Sequence, residues 1–147
     1  MEFKEKLQKI QCELKAPKNL YNSFGKYKYR NAEGICEAVK PMLEKYKVIL
    51  TLSDDIIQVG ERYYIKATVS LKDVESDGFV DITAMARESL DKKGMDESQI
   101  TGTASSYARK YALNGLFLLD DTKDADADEY HKQTKKDDQP SAKEQKE

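Results

Sequence analysis

Apolar residues recur at Phe3, Leu7, Ile10 and Leu14, a spacing that predicts an amphipathic helix over residues 2–14. Pro17 closes that pattern. Asn22-Ser23-Phe24-Gly25 predicts a turn, and Lys26-Tyr27-Lys28-Tyr29-Arg30, alternating basic and aromatic, predicts a short strand. Asn31 is placed to cap a second helix, which carries Ile35, Ala38, Val39, Met42 and Leu43 on one stripe. Pro41 falls inside the stripe and predicts either a kink or a late helix start.

The pattern then changes from a helical period to alternation. Val48 to Leu52 opens a β-rich block, and Ile56 to Val59 continues it past an expected bulge at Asp54-Asp55. After a tight turn at Gly60-Glu61, Tyr63, Ile65, Ala67, Val69 and Leu71 fall on one face. Arg62, Tyr64, Lys66, Thr68, Ser70 and Lys72 fall on the other. A turn at Ser76-Asp77-Gly78 leads to a strand over Phe79–Ala86, with Val80, Ile82, Ala84 and Ala86 aligned. This is the signature of an antiparallel meander with one dry and one wet face. Beyond a charged loop at Asp91–Gly94, Asp96 can cap a helix that runs to about Leu113, with Asn114-Gly115 as its stop. Leu116 to Leu119 supplies a last apolar anchor.

The chain has 147 residues, which suits one domain with a tail. Residues 1–119 hold 19 basic and 17 acidic side chains, whereas residues 120–147 hold 6 and 10. The acidic remainder has almost no large apolar residue and predicts a disordered tail. The acidic pI therefore conceals a slightly basic folded part. The longest uncharged run, Ser98 to Ala108, is 11 residues, short of the roughly 20 that a membrane span needs. The N-terminus lacks an apolar signal core.

Composition excludes several chemistries. Cys12 and Cys36 make neither a disulfide framework nor a zinc set. The single histidine, His131, lies in the polar tail, which removes the hydrolase and protease constellations that need a histidine. No phosphate-binding glycine loop precedes Gly25-Lys26, because Leu20 stands where its first glycine would be. A calcium loop starting at Asp124 would need glycine and glutamate where Glu129 and Lys135 stand. No catalytic group, metal or cofactor is implied.

Two segments stand out as binding candidates. In the Lys26–Arg30 run, a strand would place Lys26, Lys28 and Arg30 on one face and Tyr27 and Tyr29 on the other. Cations that hold phosphates beside rings that stack on bases are the means by which proteins grip single strands. In the long helix, Gly102, Ala104, Ser105, Ser106, Ala108 and Ala112 are small and permit close approach. Tyr107 and Tyr111 share a face, and Arg109 and Lys110 follow. Each segment also has a plainer account, with core tyrosines and solvated cations. The cations Arg62, Lys66 and Lys72 on the wet sheet face read as ordinary soluble surface, with Arg87 after the last strand.

The run Gly102-Thr103-Ala104-Ser105-Ser106-Tyr107-Ala108-Arg109-Lys110-Tyr111-Ala112-Leu113-Asn114-Gly115-Leu116-Phe117, followed by Asp120-Asp121 and Asp124-Ala125-Asp126, closely resembles the signature of the ERF (essential recombination function) family. These are phage and prophage single-strand annealing proteins. Tyr27-Lys28-Tyr29-Arg30-Asn31-Ala32-Glu33 resembles the family's N-terminal motif. The resemblance covers roughly residues 5–128. Thr103 replaces a common serine, and Gly34 stands where a larger residue is frequent.

The resemblance implies an α+β fold: an antiparallel β-meander of three to four strands crossed by a long helix, with flanking helices. It implies a single-stranded DNA-binding and annealing domain over residues 1–119 that works without ATP, and so is not an enzyme. Its partners would be single-stranded DNA and further copies of the chain in a ring or filament. A phage or host single-strand-binding protein or an exonuclease are further candidates. The setting would be the cytoplasm of a bacterial host. The implied phosphate contacts are Lys26, Lys28, Arg30, Arg87, Arg109 and Lys110, with Ser105 and Ser106 as hydroxyl donors. Tyr27, Tyr29 and Tyr107 would either stack on bases or belong to the core. The competing expectation is an interaction module that docks a recombination or replication protein and binds little DNA. A metal-dependent nuclease built on Asp54, Asp55, Asp73, Glu75 and Asp77 is a weaker third.

Overall fold

The computed structural model describes residues 1–89 and 96–120. The expectations for the Asp91–Gly94 loop and for the tail beyond residue 120 lie outside them. The elements run α1 (Phe3–Glu13), β1 (Leu20–Asn22), β2 (Tyr27–Tyr29), α2 (Ala32–Tyr46), β3 (Val48–Val59), β4 (Arg62–Asp73), β5 (Phe79–Arg87) and α3 (Glu97–Phe117). The fold is α+β, with a two-stranded sheet β1-β2 and a three-stranded antiparallel sheet β3-β4-β5. Two units are distinguished: residues 1–16 with 31–119, and residues 17–30 with the chain from residue 120.

In the larger unit, β3 and β4 pair without interruption from Val48↔Asp73 to Val59↔Arg62. The expected bulge is absent. Asp54 sits opposite Ala67 and Asp55 opposite Lys66, so the two carboxylates leave on opposite faces and no residue has to be looped out. Gly60, at φ +62°, makes the two-residue turn between the strands. Ile65, Ala67, Val69 and Leu71 are buried as the alternation demands, but Tyr63, assigned to the same dry row, is exposed beside the turn.

Helix α3 starts as expected. Asp96 accepts the Gln99 backbone N–H at 2.8 Å, and the Gln99 side chain accepts the Asp96 N–H at 2.9 Å. The helix lies against β4 and β5. Ala104, Ala108 and Ala112, one turn apart, are at most 4% exposed. Their small size brings the backbone close to the sheet. The helix does not stop at Asn114-Gly115. It continues to Phe117 and ends on Leu118 in the left-handed conformation. Leu116 and Phe117 are both buried in the core. At about 1.5–3 kcal/mol for each large side chain, that burial outweighs the ~1 kcal/mol cost of a mid-helix glycine.

The core joins Ile10 of α1 and Leu14 just beyond it, Ile35, Val39 and Tyr46 of α2, Val69 and Leu71 of the sheet, and Leu113, Leu116 and Phe117 of α3. Asn31 caps α2 through a 2.8 Å bond from the Gly34 N–H. Pro41 lies inside the helix and does not mark its start. A buried ion cluster fastens α1 to the end of β4. Lys6 Nζ lies 2.6 Å from Asp73 and 2.8 Å from Glu75, and the Lys6 and Asp73 side chains are 3% and 2% exposed. Asp73 also accepts the Ser76 hydroxyl at 2.8 Å. The Lys6 ammonium and that hydroxyl hold its carboxyl down at about 2, against an ordinary 3.8. Two of the carboxylates considered for a metal site are thus already committed to a lysine. Among the described residues, no helix is long and apolar enough to cross a membrane.

Candidate nucleic-acid interface

The alanine stripe that sinks one side of α3 into the sheet lifts the other side outward. Tyr107 and Tyr111 are 47% and 45% exposed. Their rings stack with centroids 6.2 Å apart and planes inclined by 22°. Lys110 Nζ lies over both, 5.1 Å from the Tyr107 centroid and 5.7 Å from that of Tyr111. Such cation–π contacts at exposed sites are worth about 0.5–1 kcal/mol each. They hold a positive charge against two near-parallel aromatic faces. Tyr107 is therefore not a core residue. Tyr111, which the long-helix pattern pairs with it, joins the same cluster.

Ser105 and Arg109, one turn apart on α3, both bind Asp54 of β3. Ser105 Oγ donates to Asp54 Oδ2 at 2.5 Å and Arg109 Nε to Asp54 Oδ1 at 3.0 Å. Side-chain exposures are 37% for Arg109 and 25% for Asp54. Burial alone would raise the Asp54 carboxyl, but the bonds from Arg109 and Ser105 prevail and hold it below the usual range. Two candidate phosphate donors are thus occupied by an internal carboxylate. The sequence signal for it was an aspartate pair in the middle of an otherwise apolar strand. Ser106 is exposed on α3. Arg87 is exposed at the end of β5, opposite Tyr64. It shares the outer sheet face with Arg62, Lys66 and Lys72, the face turned away from α3. The structure therefore groups Ser105, Tyr107, Arg109 and Lys110 on α3 and leaves Arg87 apart from them.

In the smaller unit, residues 20–29 form a hairpin. Leu20 pairs with Tyr29, Tyr21 with Lys28 and Asn22 with Tyr27. The first of these strands was not anticipated, because three residues carry no alternation to read. Ser23 to Lys26 form the connecting loop, and Lys26 takes a left-handed backbone at φ +58°. Lys26 therefore lies in the turn and not in the strand, and the expected row of three cations is reduced to Lys28 within β2, followed by Arg30 after it. Arg30 Nη1 donates to the Asp120 carbonyl at 2.5 Å. Tyr27 and Tyr29 are half-buried, with centroids 6.0 Å apart and a 57° tilt. No fixed acidic residue occurs between Glu13 and Glu33.

An antiparallel three-stranded meander carrying a long, small-residue helix with paired tyrosines defines an α+β module. The chain belongs to the ERF superfamily, whose family model matches residues 3–147. It is 54% identical over 132 residues to the "Essential recombination function protein" of Salmonella phage P22. The matched stretch covers 90% of this chain and 62% of that protein, so the chain spans about three-fifths of its relative's length. The family match runs on past Asp128, where the motif resemblance ends. No solved structure matches the chain.

Proposed function

We propose that the chain is a phage recombination protein that binds single-stranded DNA and promotes pairing of complementary strands without ATP. The observation that carries this reading is the exposed Tyr107–Lys110–Tyr111 cluster on α3. It offers two aromatic faces and a cation, the combination that holds bases and backbone without reading sequence. Membership of the ERF superfamily, and the name of the phage P22 relative, support the same conclusion. The basic, aromatic hairpin supports it independently.

Annealing needs no fuel, because duplex formation is downhill. The protein's task is to open folded strands and to reduce the repulsion between two polyanions. Lys110 and the hairpin cations Lys26, Lys28 and Arg30 supply charge, while Tyr107 and Tyr111 supply stacking. Copies assembled side by side in a ring or filament would join these surfaces into one track. Further recombination partners would meet that assembly in a bacterial host cytoplasm.

The test is annealing of two complementary labelled oligonucleotides without ATP at low and high salt. Acceleration that weakens with salt is expected, with a slope of about −0.7 per phosphate contacted on a single strand. Arg109→Ala with Lys110→Ala should abolish annealing and leave thermal unfolding cooperative. Unchanged DNA binding in that variant would remove α3 from the interface. The occupation of Ser105 and Arg109 by Asp54 favours one competitor, an α3 that docks a protein. Tight capture of a recombination protein with no salt-sensitive DNA binding would decide for it.

A further inference from the structure

The hairpin of residues 17–30 contains a side chain that the fold itself does not use. Phe24 is 98% exposed. It sits at the tip, between Ser23 and Gly25, where turns ordinarily carry small polar residues. A single exposed apolar side chain normally calls for no explanation. This one is displayed on a stiffened support. Asn22 Oδ1 accepts the Gly25 N–H at 2.9 Å, and the Asn22 carbonyl accepts the Lys26 N–H at 2.7 Å. Asn22 Nδ2 donates to the Tyr27 hydroxyl at 3.2 Å. Gly25 is required there, because a Cβ would lie 2.3 Å from the Tyr27 ring. The loop is locked on both sides of an almost fully exposed phenyl ring.

Charge decides what the ring meets. Between Glu13 and Glu33 the chain carries Lys15, Lys18, Lys26, Lys28 and Arg30 and no acidic residue. An apolar pocket on a protein could accept a phenyl ring, but a run of sequence with five cations and no carboxylate calls for a polyanion that also presents flat apolar faces. Single-stranded nucleic acid is that ligand. Its phosphates answer the cations and its bases answer the ring.

We infer that the β1–β2 hairpin is a nucleic-acid finger whose tip residue, Phe24, stacks on a nucleobase while Lys26 and Lys28 hold the adjoining phosphates. This rests on the DNA-binding reading and adds a contact, a residue and a chemical role to it. The rigid tip is pre-organised, so little conformational entropy is lost when a base stacks on it.

The chain contains no tryptophan, so Phe24→Trp in the 147-residue chain installs a sole reporter at the tip. Binding is followed separately by anisotropy of a labelled oligothymidine. Saturation should quench the new indole emission strongly. An abasic oligonucleotide of the same length should bind more weakly and leave the emission unquenched. Phe24→Ala should weaken oligothymidine binding about 5- to 150-fold, the range of base–aromatic stacking, and Phe24→Tyr should restore most of it. Phe24→Leu, apolar but without a π face, should behave like Phe24→Ala. Because the side chain is exposed, the fold should be untouched in all four variants, which circular dichroism checks. Full binding with unchanged indole emission would overturn the finger while leaving the DNA reading in place. Emission that shifts with protein concentration alone would also overturn it, by showing that the tip meets a second copy of the chain. Absence of any oligonucleotide binding by the unsubstituted protein would overturn both.

Discussion

The closeness of α3 to the sheet can be tested by its sign as well as its size. Ala108 is fully buried and packs in a small cluster with Ile65, Ala67 and Ala104. Ala108→Leu adds three carbons and changes helix propensity little. If there were room, burying them would stabilise the protein by about 2.4 kcal/mol, at ~0.8 kcal/mol per methylene. With alanine facing alanine there is no room, and overpacking should cost about 1–3 kcal/mol net. For a chain of this size that is roughly 3–5 °C of Tm per kcal/mol. Thermal unfolding by circular dichroism reads it. Gly102→Ala on the same helix is the control, because its Cβ would meet nothing within 4 Å. That variant should gain about 0.8–1 kcal/mol from propensity alone. An Ala108→Leu protein as stable as the parent, or more so, would refute the argument that the alanine stripe sets the depth of α3.

Three further outcomes are expected. Asp73 titrates near 2 in the fold against an ordinary 3.8. Its contribution to stability is therefore intact above 3.8 and lost as pH falls toward 2. Urea midpoints measured down that range should fall more steeply for the parent than for Asp73→Asn, and parallel profiles would count against the buried pair. Asn114 is 7% exposed, and neither its side-chain oxygen nor its nitrogen has a hydrogen-bond partner among the described residues. Asn114→Leu should leave the urea midpoint unchanged or raise it, since it removes two buried unpaired polar atoms, and a clear drop would point to a partner for the amide. Asp54→Asn withdraws the charge that holds Ser105 and Arg109. Oligonucleotide affinity should rise several-fold at low salt, and a loss would mean that Asp54 serves to position Arg109.

The extent to which the fold was legible follows from what each segment buries. The alternation from Arg62 to Leu71 located β4 and its dry face, because a half-buried strand must alternate. The Asn31 and Asp96 caps were visible, because a short polar side chain before an apolar period has a local role. Local signals misled where tertiary contacts overrode them. Asp54-Asp55 looked like a break in β3, yet Asp54 finds its partners on α3, 51 and 55 residues further along the chain. Asn114-Gly115 looked like a helix stop, yet Leu116 and Phe117 carry α3 on into the core. Of the candidate interface, the tyrosine pair was readable from its four-residue spacing. The capture of Ser105 and Arg109 was not, because no local pattern records a contact between a strand and a helix. Phe24 falls within the turn that Asn22-Ser23-Phe24-Gly25 predicts. Its near-complete exposure depends on a loop held by Asn22, Gly25 and Tyr27, contacts that no local pattern records.

The hairpin also bears on how such a chain can change over generations. It leaves the larger unit after Ala16 and rejoins it at Asn31. Leu20 and Tyr29 are cross-strand neighbours, so the two arms of the hairpin run side by side. No member of the main core cluster falls within residues 17–30. The finger is in effect a cassette. It can be lengthened, shortened, recoded at its tip or exchanged for that of a relative without repacking the domain that carries it. Selection on what the protein grips can proceed there almost independently of selection on whether it folds.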